Sequence, residues 1–251
     1  MRIVINHLTR MQPGFICVAG LDPNTRQHIR PVLRGRLSRS LLRAEGGPFD
    51  IGALVELGET TSEGVAPEVE DRAFTAWRAT YLRNCEPQAF WMLLRTSARQ
   101  RLVGIFGPEL RQTGSTCALD GGKGQASLGC LIPTGKPELH ATDQGSVRMR
   151  FSDGELTVTA SVTDLRLYED DQKTPRQAAV ADLNARLARG VLAILSVGVS
   201  REWTKPGDTV PRHWLQVNGI HLHDRPIWRH AEIDRTNDHR MPMGSLDELP
   251  F

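Results

Sequence analysis

The amino-acid sequence predicts a mainly β protein with a few helices, folded into two small barrels. Short β-branched and aliphatic runs recur along the chain and are separated by turns rich in glycine and proline, whereas only two stretches have helical periodicity. This pattern favours small barrels or sandwiches over a doubly wound parallel sheet, in which strands and helices alternate. Because the chain has 251 residues, two barrels fit its length better than one.

The clearest strands occur in pairs. Residues 2–8 and 15–21 flank a turn-forming stretch and predict an antiparallel pair at the start of the chain. Residues 147–151 and 156–160 alternate apolar and polar side chains on either side of Asp153-Gly154, which is typical of a hairpin with a two-residue turn. Further strands are predicted at 51–57, 191–200 and 213–223.

Two helices are expected. The first runs from Pro87 to 103, because its apolar residues recur on one face and glycines follow it. The second begins with Thr174 as its N-cap and Pro175 at its first position, and Gly190 ends it. The stretch 60–70, which contains glycine, proline and glutamates, is predicted to be an exposed loop.

Composition excludes several protein classes. The chain is 39% hydrophobic and 24% charged, so it is neither fibrous nor wholly disordered. Its longest apolar stretch, 191–199, is far shorter than the ~20 residues of a membrane-spanning helix, and its start lacks the pattern of a secretory signal, so we expect a cytoplasmic protein. The four cysteines have no close pair and are expected to be reduced thiols.

Five segments of the chain resemble a known family. They are NHLTRMQPGFICVAG, HIRPV, VTDLRLYE, SVGVSR and WLQVNGIHL. Together they are similar to a bacterial family that contains dual OB-fold domains. The resemblance implies two OB-like barrels and a nucleic-acid-binding role, although OB folds also bind oligosaccharides.

With this resemblance, the chain divides into four parts. We expect a first OB-like barrel at 1–72, a helical segment at 73–113, a second OB-like barrel with one helix at 114–228, and a flexible tail at 229–251. Within VTDLRLYE, Asp164 and Arg166 alternate on a predicted strand. They are expected to form an ion pair with each other or with the neighbouring barrel, and contact with a ligand is the alternative.

Candidate nucleic-acid-binding residues are mostly arginines. No acidic residue interrupts the stretch 26–43, whose arginines could follow a phosphate backbone, although a solvated face paired with nearby glutamates is the alternative. Arginines also far outnumber lysines, which suits phosphate contacts but is equally what a GC-rich genome produces. On the hairpin, arginines point away from the core, and tryptophans beside charged residues could stack on bases. The candidates are Arg30, Arg34, Arg36, Arg39, Arg148, Arg150, Arg201, Trp203 and Trp214.

The C-terminal end resembles the acidic tip of bacterial single-stranded-DNA-binding proteins. In that family a terminal phenylalanine and its carboxylate dock on replication and repair proteins, which implies the same kind of partner here. The tip consists of Asp247, Glu248, Leu249, Pro250 and Phe251.

The sequence therefore predicts a single-stranded nucleic-acid-binding protein, for DNA or RNA, that needs no cofactor and is not an enzyme. Two alternatives stay open. One is a metal-dependent nuclease, or an accessory subunit of a modifying enzyme, that uses His221, His223 and Asp224, since a His-x-His pair with a carboxylate can hold zinc or manganese. The other is a protein-interaction adaptor.

Overall fold

The computed structural model describes residues 1–142, 144–205 and 207–230. Within them the chain forms two curled sheets and three helices, which confirms the prediction of a mainly β protein. We call the first sheet, from residues 2–84, the first lobe, and the second sheet, from residues 111–222, the second lobe. The predicted opening strand pair and the 147–160 hairpin are both present.

The first lobe is built around the paired strands at the start of the chain. In spatial order its strands run β6-β7-β3-β2-β1-β5-β8, with β4 paired to β2. All pairs are antiparallel except the parallel pair of β3 and β7. The strands are β1 (Arg2–Arg10), β2 (Phe15–Leu21), β3 (His28–Val32), β4 (Leu37–Ser38), β5 (Ala53–Glu56), β6 (Thr61–Ser62), β7 (Asp71–Ala73) and β8 (Thr80–Asn84).

The second lobe centres on its two longest apolar strands. In order its strands run β11-β15-β16-β14-β13-β12, with β10 paired to β16 and β9 to β10. The β14–β16 pair is parallel and the others are antiparallel. The strands are β9 (Arg111–Thr113), β10 (Thr116–Asp120), β11 (Leu128–Leu131), β12 (Thr134–Ala141), β13 (Val147–Ser152), β14 (Thr157–Val162), β15 (Ala193–Val199) and β16 (Arg212–Leu222).

Helix α1 (Pro87–Ser97) and helix α2 (Val103–Phe106) connect the two lobes, and the single helix predicted for 87–103 is wrong. The helix ends early because Ala98 is extended and the backbone of Arg99 forms hydrogen bonds with Cys130 and Ile132 at β11. The strand edge thus takes the hydrogen bonds that a longer helix would need. Phe90 on α1 is fully buried and packs in the hydrophobic core of the first lobe.

Helix α3 (Gln177–Ala188) packs on β12, and the Asn184 side chain accepts a hydrogen bond from the Leu139 backbone. It starts later than predicted from Thr174 and Pro175. Pro175 lies in a bridge to Tyr168, and the Arg176 N–H bonds to the Leu167 carbonyl, so these residues pair with the chain instead of opening the helix.

Asp164 and Arg166 form the predicted ion pair, but they do not lie on a strand. Strand β14 ends before them, and Arg166 lies in a 3₁₀ turn at Leu165–Leu167. Both side chains are fully buried, and Arg166 Nη2 donates to Asp164 Oδ2 at 2.6 Å. Asp164 also accepts the Ile220 N–H, and Arg166 donates to the Trp228 carbonyl. Burying a pair of charges requires this many partners.

The segment 60–70 is exposed at 61–63 and 65–66, as predicted, but two of its glutamates, at its C-terminal end, are buried. Glu68 and Glu70 are 7% and 5% exposed. Glu70 reaches the second lobe, where one oxygen accepts the backbone N–H groups of Ser127 and Leu128 at 2.9 and 3.0 Å. The other oxygen accepts the Ser127 hydroxyl, and burial raises the pKa of the Glu70 carboxyl above its ordinary value. Glu70 therefore joins the two lobes.

Candidate nucleic-acid interface

A cleft of about 550 Å³ lies between the two lobes. Its first wall is the face of β1 and β2 on which His7 pairs with Ala19 and Thr9 with Cys17. Its second wall comes from β16, through Gln216 and Asn218, and from the residues that follow β15. This volume is typical of a pocket for a small molecule.

The cleft is rich in arginine, and two of its arginines, Arg30 and Arg201, are ion-paired with Asp71. Among the described residues that line it, four are arginines and one, Glu202, is acidic. Arg201 reaches Asp71 at 2.6 Å and Arg10 stacks on the Tyr168 ring, whereas Arg36 is exposed over the Phe15 ring. The lining arginines are Arg10, Arg30, Arg36 and Arg201.

Several buried polar atoms in the cleft lack a hydrogen-bond partner within the described part of the chain. They include a ring nitrogen of His7, Nε of Arg10 and Nη2 of Arg30. His7 is 2% exposed, and burial lowers the pKa of its imidazole well below the ordinary value, with the charges of His28, His221 and Arg30 acting in the same direction and a side-chain hydrogen bond with Asn218 opposing them. The ring is therefore neutral near pH 7, with one donor and one acceptor.

A second pocket, of about 250 Å³, lies on the hairpin face of the second lobe. Arg148 lines it together with Lys205, whose ammonium lies 3.2 Å from the centre of the Trp214 ring. No acidic side chain lines it among the described residues. Burial and the neighbouring positive charge of Arg148 lower the pKa of Lys205, so the pocket concentrates positive charge.

Trp203 lines both cavities and is 45% exposed. Its backbone is held by a bridge to Arg212, through two hydrogen bonds of 3.1 Å. Gln216 also lines both cavities. The two pockets therefore meet at one exposed tryptophan.

The predicted stacking role of Trp214 does not fit its position. The ring is 5% exposed, and Lys205 covers one face. Its indole Nε1 has no hydrogen-bond partner among the described residues, and the ring lines the hairpin pocket beside the similarly unpartnered hydroxyl of Thr116. Trp214 is thus placed to donate a hydrogen bond instead of stacking on a base.

The basic stretch 26–43 does not form one row of open arginines. Arg30 is buried, and its Nε donates to Asp71 at 2.5 Å. Arg39 is ion-paired with Glu45 and with Asp170, which belongs to the second lobe. Arg34 and Arg36 are exposed. Of these partners only Glu45 is a glutamate close to the stretch in sequence. Asp71 and Asp170 are aspartates from more distant parts of the chain.

The hairpin arginines alternate with core residues as predicted. Arg148 is half-buried in the hairpin pocket, opposite Ser161. Arg150 is exposed and lies 3.9 Å from Glu138 on β12. Arg148 has no ion pair within the described residues, so its charge is the more available of the two.

The histidines considered as metal ligands are separated by the fold. His221 is 1% exposed and bonds to the Asn6 carbonyl at the lobe junction, whereas His223 is exposed and packs on Trp91. Asp224 is ion-paired with Arg186 at 2.8 Å. Across residues 1–142, 144–205 and 207–230, no group of three or more His, Cys, Asp or Glu side chains could hold a metal ion.

Ser196 and His221 form a hydrogen bond of 3.1 Å that resembles a nucleophile and its base. Ser196 is fully buried, and neither residue lines the two cavities described above. The Asn6 amide donates to Ser196 at 3.1 Å and faces the Cys130 sulfur. Burial raises the pKa of Cys130 to about 12. This cluster therefore joins the lobes and does not activate a nucleophile.

His7, Arg10 and Lys205 were not predicted as site residues. His7 lies in the predicted strand 2–8, whose pattern indicates core residues, whereas Arg10 and Lys205 lie in predicted turns. The alternation of His7 and Thr9 on β1 was the available signal, but the sequence does not say that the second lobe covers this face. Their proximity to the second lobe is a tertiary property.

A model of the dual OB-containing domain family, DuOB, matches residues 1–220. The chain belongs to this family. The match includes both sheets almost completely, and their curled form agrees with two OB-like domains. In this chain the arginine-lined cleft therefore lies between the two OB-like units. No curated protein matches the chain at a significant level.

Two further expectations concern the ends of the described region. The acidic tip at 247–251 lies outside the described residues, as does most of the predicted tail. His230, which was assigned to that tail, is 2% exposed, and its N–H donates to Asp50. Among the described helices, none has the length and apolar character to cross a membrane.

Proposed function

We propose that the protein binds single-stranded nucleic acid along a path that runs from the hairpin pocket, past Trp203, to the cleft between the lobes. The observation that carries this proposal is the position of Trp203. It is a half-exposed indole between two cavities lined by cations. An exposed ring flanked by positive charge is the arrangement with which OB folds hold single strands.

Each part of this path has a distinct chemical task. Arg148 and Lys205 neutralise phosphate charge and release counterions, and the Trp214 N–H adds a directed donor. Trp203 stacks on a base, which any base permits because each has a π-face. A duplex keeps its bases stacked on one another, so this path favours a single strand.

The proposal is tested by fluorescence anisotropy with labelled single-stranded DNA, single-stranded RNA and duplex DNA of equal length. We expect tighter binding of a single strand than of the duplex. Trp203→Ala should weaken single-strand binding by roughly fivefold or more, the equivalent of one lost stacking contact.

Trp77→Ala is the matched control, because Trp77 is 80% exposed in the first lobe and lines neither cavity. We expect its affinity to equal that of the wild type. Equal affinities for single strand and duplex, or equal losses in both variants, would contradict the proposal. Absence of binding to all three nucleic acids would favour a protein-interaction adaptor.

We also propose that the 247–251 tip recruits replication or repair proteins, on the basis of its sequence resemblance alone. Removing Phe251 should abolish capture of such a partner and leave nucleic-acid affinity unchanged, because the tip acts on protein. A change in nucleic-acid affinity or in thermal stability on deletion would assign Phe251 to the fold instead.

A further inference from the structure

The cleft between the lobes contains polar atoms that its own surroundings do not satisfy. His7 is 98% buried, and only the Asn218 side chain forms a hydrogen bond with its ring among the described residues, so at least one ring nitrogen has no partner there. A buried polar group without a partner is costly, so native proteins rarely keep one without a reason. The free nitrogen of neutral His7 can form one hydrogen bond, which suits the edge of a planar base.

The cleft also has guanidinium nitrogens without a partner among the described residues. Arg10 directs one nitrogen to the Gln172 carbonyl at 2.8 Å and stacks on Tyr168, but its Nε has no partner within the described residues. Arg30 uses Nε for Asp71, whereas its Nη2 has no partner there. Guanidinium nitrogens held in place by other contacts bind phosphate oxygens at small entropic cost.

The remaining walls include apolar side chains beside polar ones and lead to an aromatic ring. Ile16, Leu37 and Val199 line the cleft, and Trp203 connects it to the hairpin pocket. A flat, partly apolar ring attached to an anion matches this combination of surfaces. A phosphate or a carboxylate alone would leave the imidazole and the apolar walls without a partner.

We propose that the cleft between the lobes binds a single nucleotide, with its phosphate on the free nitrogens of Arg10 and Arg30 and its base against His7. The inference rests in part on the proposed function, because Trp203 links the two sites. The nucleotide is either a free nucleoside monophosphate or the terminal unit of a bound strand. Both present the same base and phosphate to the cleft.

Cys17 provides a direct readout, because it lines the cleft on β2 and is only partly buried. Cys117 and Cys130 are buried, and Cys85, which is partly buried, does not line the cleft. In a Cys85→Ser background, the rate of alkylation by a maleimide therefore reports on Cys17. A ligand seated in the cleft should slow this rate.

The experiment measures Cys17 alkylation and calorimetric binding for the full chain with adenosine, cytidine, guanosine and uridine monophosphates. We expect at least one monophosphate to bind and to slow alkylation. The matching nucleoside, or inorganic phosphate alone, should bind about tenfold more weakly or worse, because each makes half of the contacts. His7→Phe should remove the binding, whereas His140→Phe, on the exposed face of β12, should not.

Strand ends are tested with linear and circular single-stranded DNA. Protection of Cys17 by the linear form but not by the circle assigns the cleft to a strand terminus, and protection by free monophosphate alone assigns it to free nucleotide. Both outcomes support the proposal.

Failure of every monophosphate and of the linear strand to protect Cys17 would overturn the proposal. If oligonucleotides still bind in that case, the proposed function stands without the nucleotide pocket. If monophosphates bind and oligonucleotides do not, the pocket stands and the proposed function fails. Protection of Cys17 is measured with His7 intact, so the result does not depend on whether His7→Phe folds.

Discussion

The basic stretch 26–43 of the first lobe and the hairpin pocket of the second lobe use arginine in different ways. In the first lobe, Arg30 and Arg39 are held by carboxylates, at 2.5 Å from Asp71 and 2.6 Å from Glu45. In the second lobe, Arg148 lines a pocket with Lys205 and has no ion pair among the described residues. The comparison teaches that a dense run of arginines in the sequence does not identify the binding surface. Whether an arginine is available to a ligand depends on whether the fold places a carboxylate beside it.

The largest effect is expected where a buried arginine loses its acid. Asp71 accepts hydrogen bonds from Arg30 and from Arg201, so Asp71→Asn leaves the buried Arg30 charge without a carboxylate. We expect the free energy of unfolding to fall by about 3–5 kcal/mol, measured by urea denaturation. Glu155→Gln is the control, because the ion pair of Glu155 with Arg101 is exposed and should contribute less than about 1 kcal/mol. Similar losses in both variants would contradict the distinction.

The junction between the lobes should also respond to pH. Burial, and then the charge of Arg166, lower the pKa of His221 from its ordinary 6.5 to about 3. Below pH 6.5 the unfolded chain takes up a proton that the folded chain does not, so stability is present above that pH and declines as the pH falls. Between about pH 7 and about pH 5, His221 should account for a loss of roughly 2 kcal/mol.

The measurement compares urea denaturation of the wild type and His221→Gln across this range. The variant should lose stability less steeply on acidification, because its side chain does not titrate. His140→Gln is the control and should follow the wild type, since His140 is exposed on β12. An unchanged pH slope in His221→Gln would show that the ring is charged in the folded protein.

A smaller effect is expected from an arginine that the fold leaves unpaired. Arg148→Ala should weaken single-strand binding by about tenfold and reduce the slope of log affinity against log salt by ~0.7, the contribution of one phosphate contact. Stability should change by less than about 0.5 kcal/mol, because no ion pair is lost. An unchanged slope of log affinity against log salt would show that the phosphate contact lies outside the hairpin pocket.

The smallest effect is expected for Arg39→Ala. Its partners Glu45 and Asp170 are largely exposed, so the free energy of unfolding should fall by less than about 1 kcal/mol. Because both contacts are internal, the salt dependence of nucleic-acid binding should not change. A reduced slope in Arg39→Ala would place this arginine on the nucleic acid and remove the contrast between the lobes.

Local patterns in the sequence determined much of the fold. The strands of the opening pair and of the 147–160 hairpin follow from side-chain alternation and turn residues, because these act between neighbours in the chain. Alternation also indicated that Arg148 points away from the core. The family resemblance was carried by short segments in both lobes, and it provided the expectation of two OB-like units.

Only the tertiary structure decided which polar residues face solvent and which join the lobes. The early end of α1 depends on β11, and the burial of Glu70 depends on the Ser127 backbone. His7 and Arg10 become cleft residues because the second lobe covers their strand. Burial and ion pairing depend on groups that are distant in the chain, and the energy of a charge changes sign with those neighbours. No local pattern in the sequence contains that information.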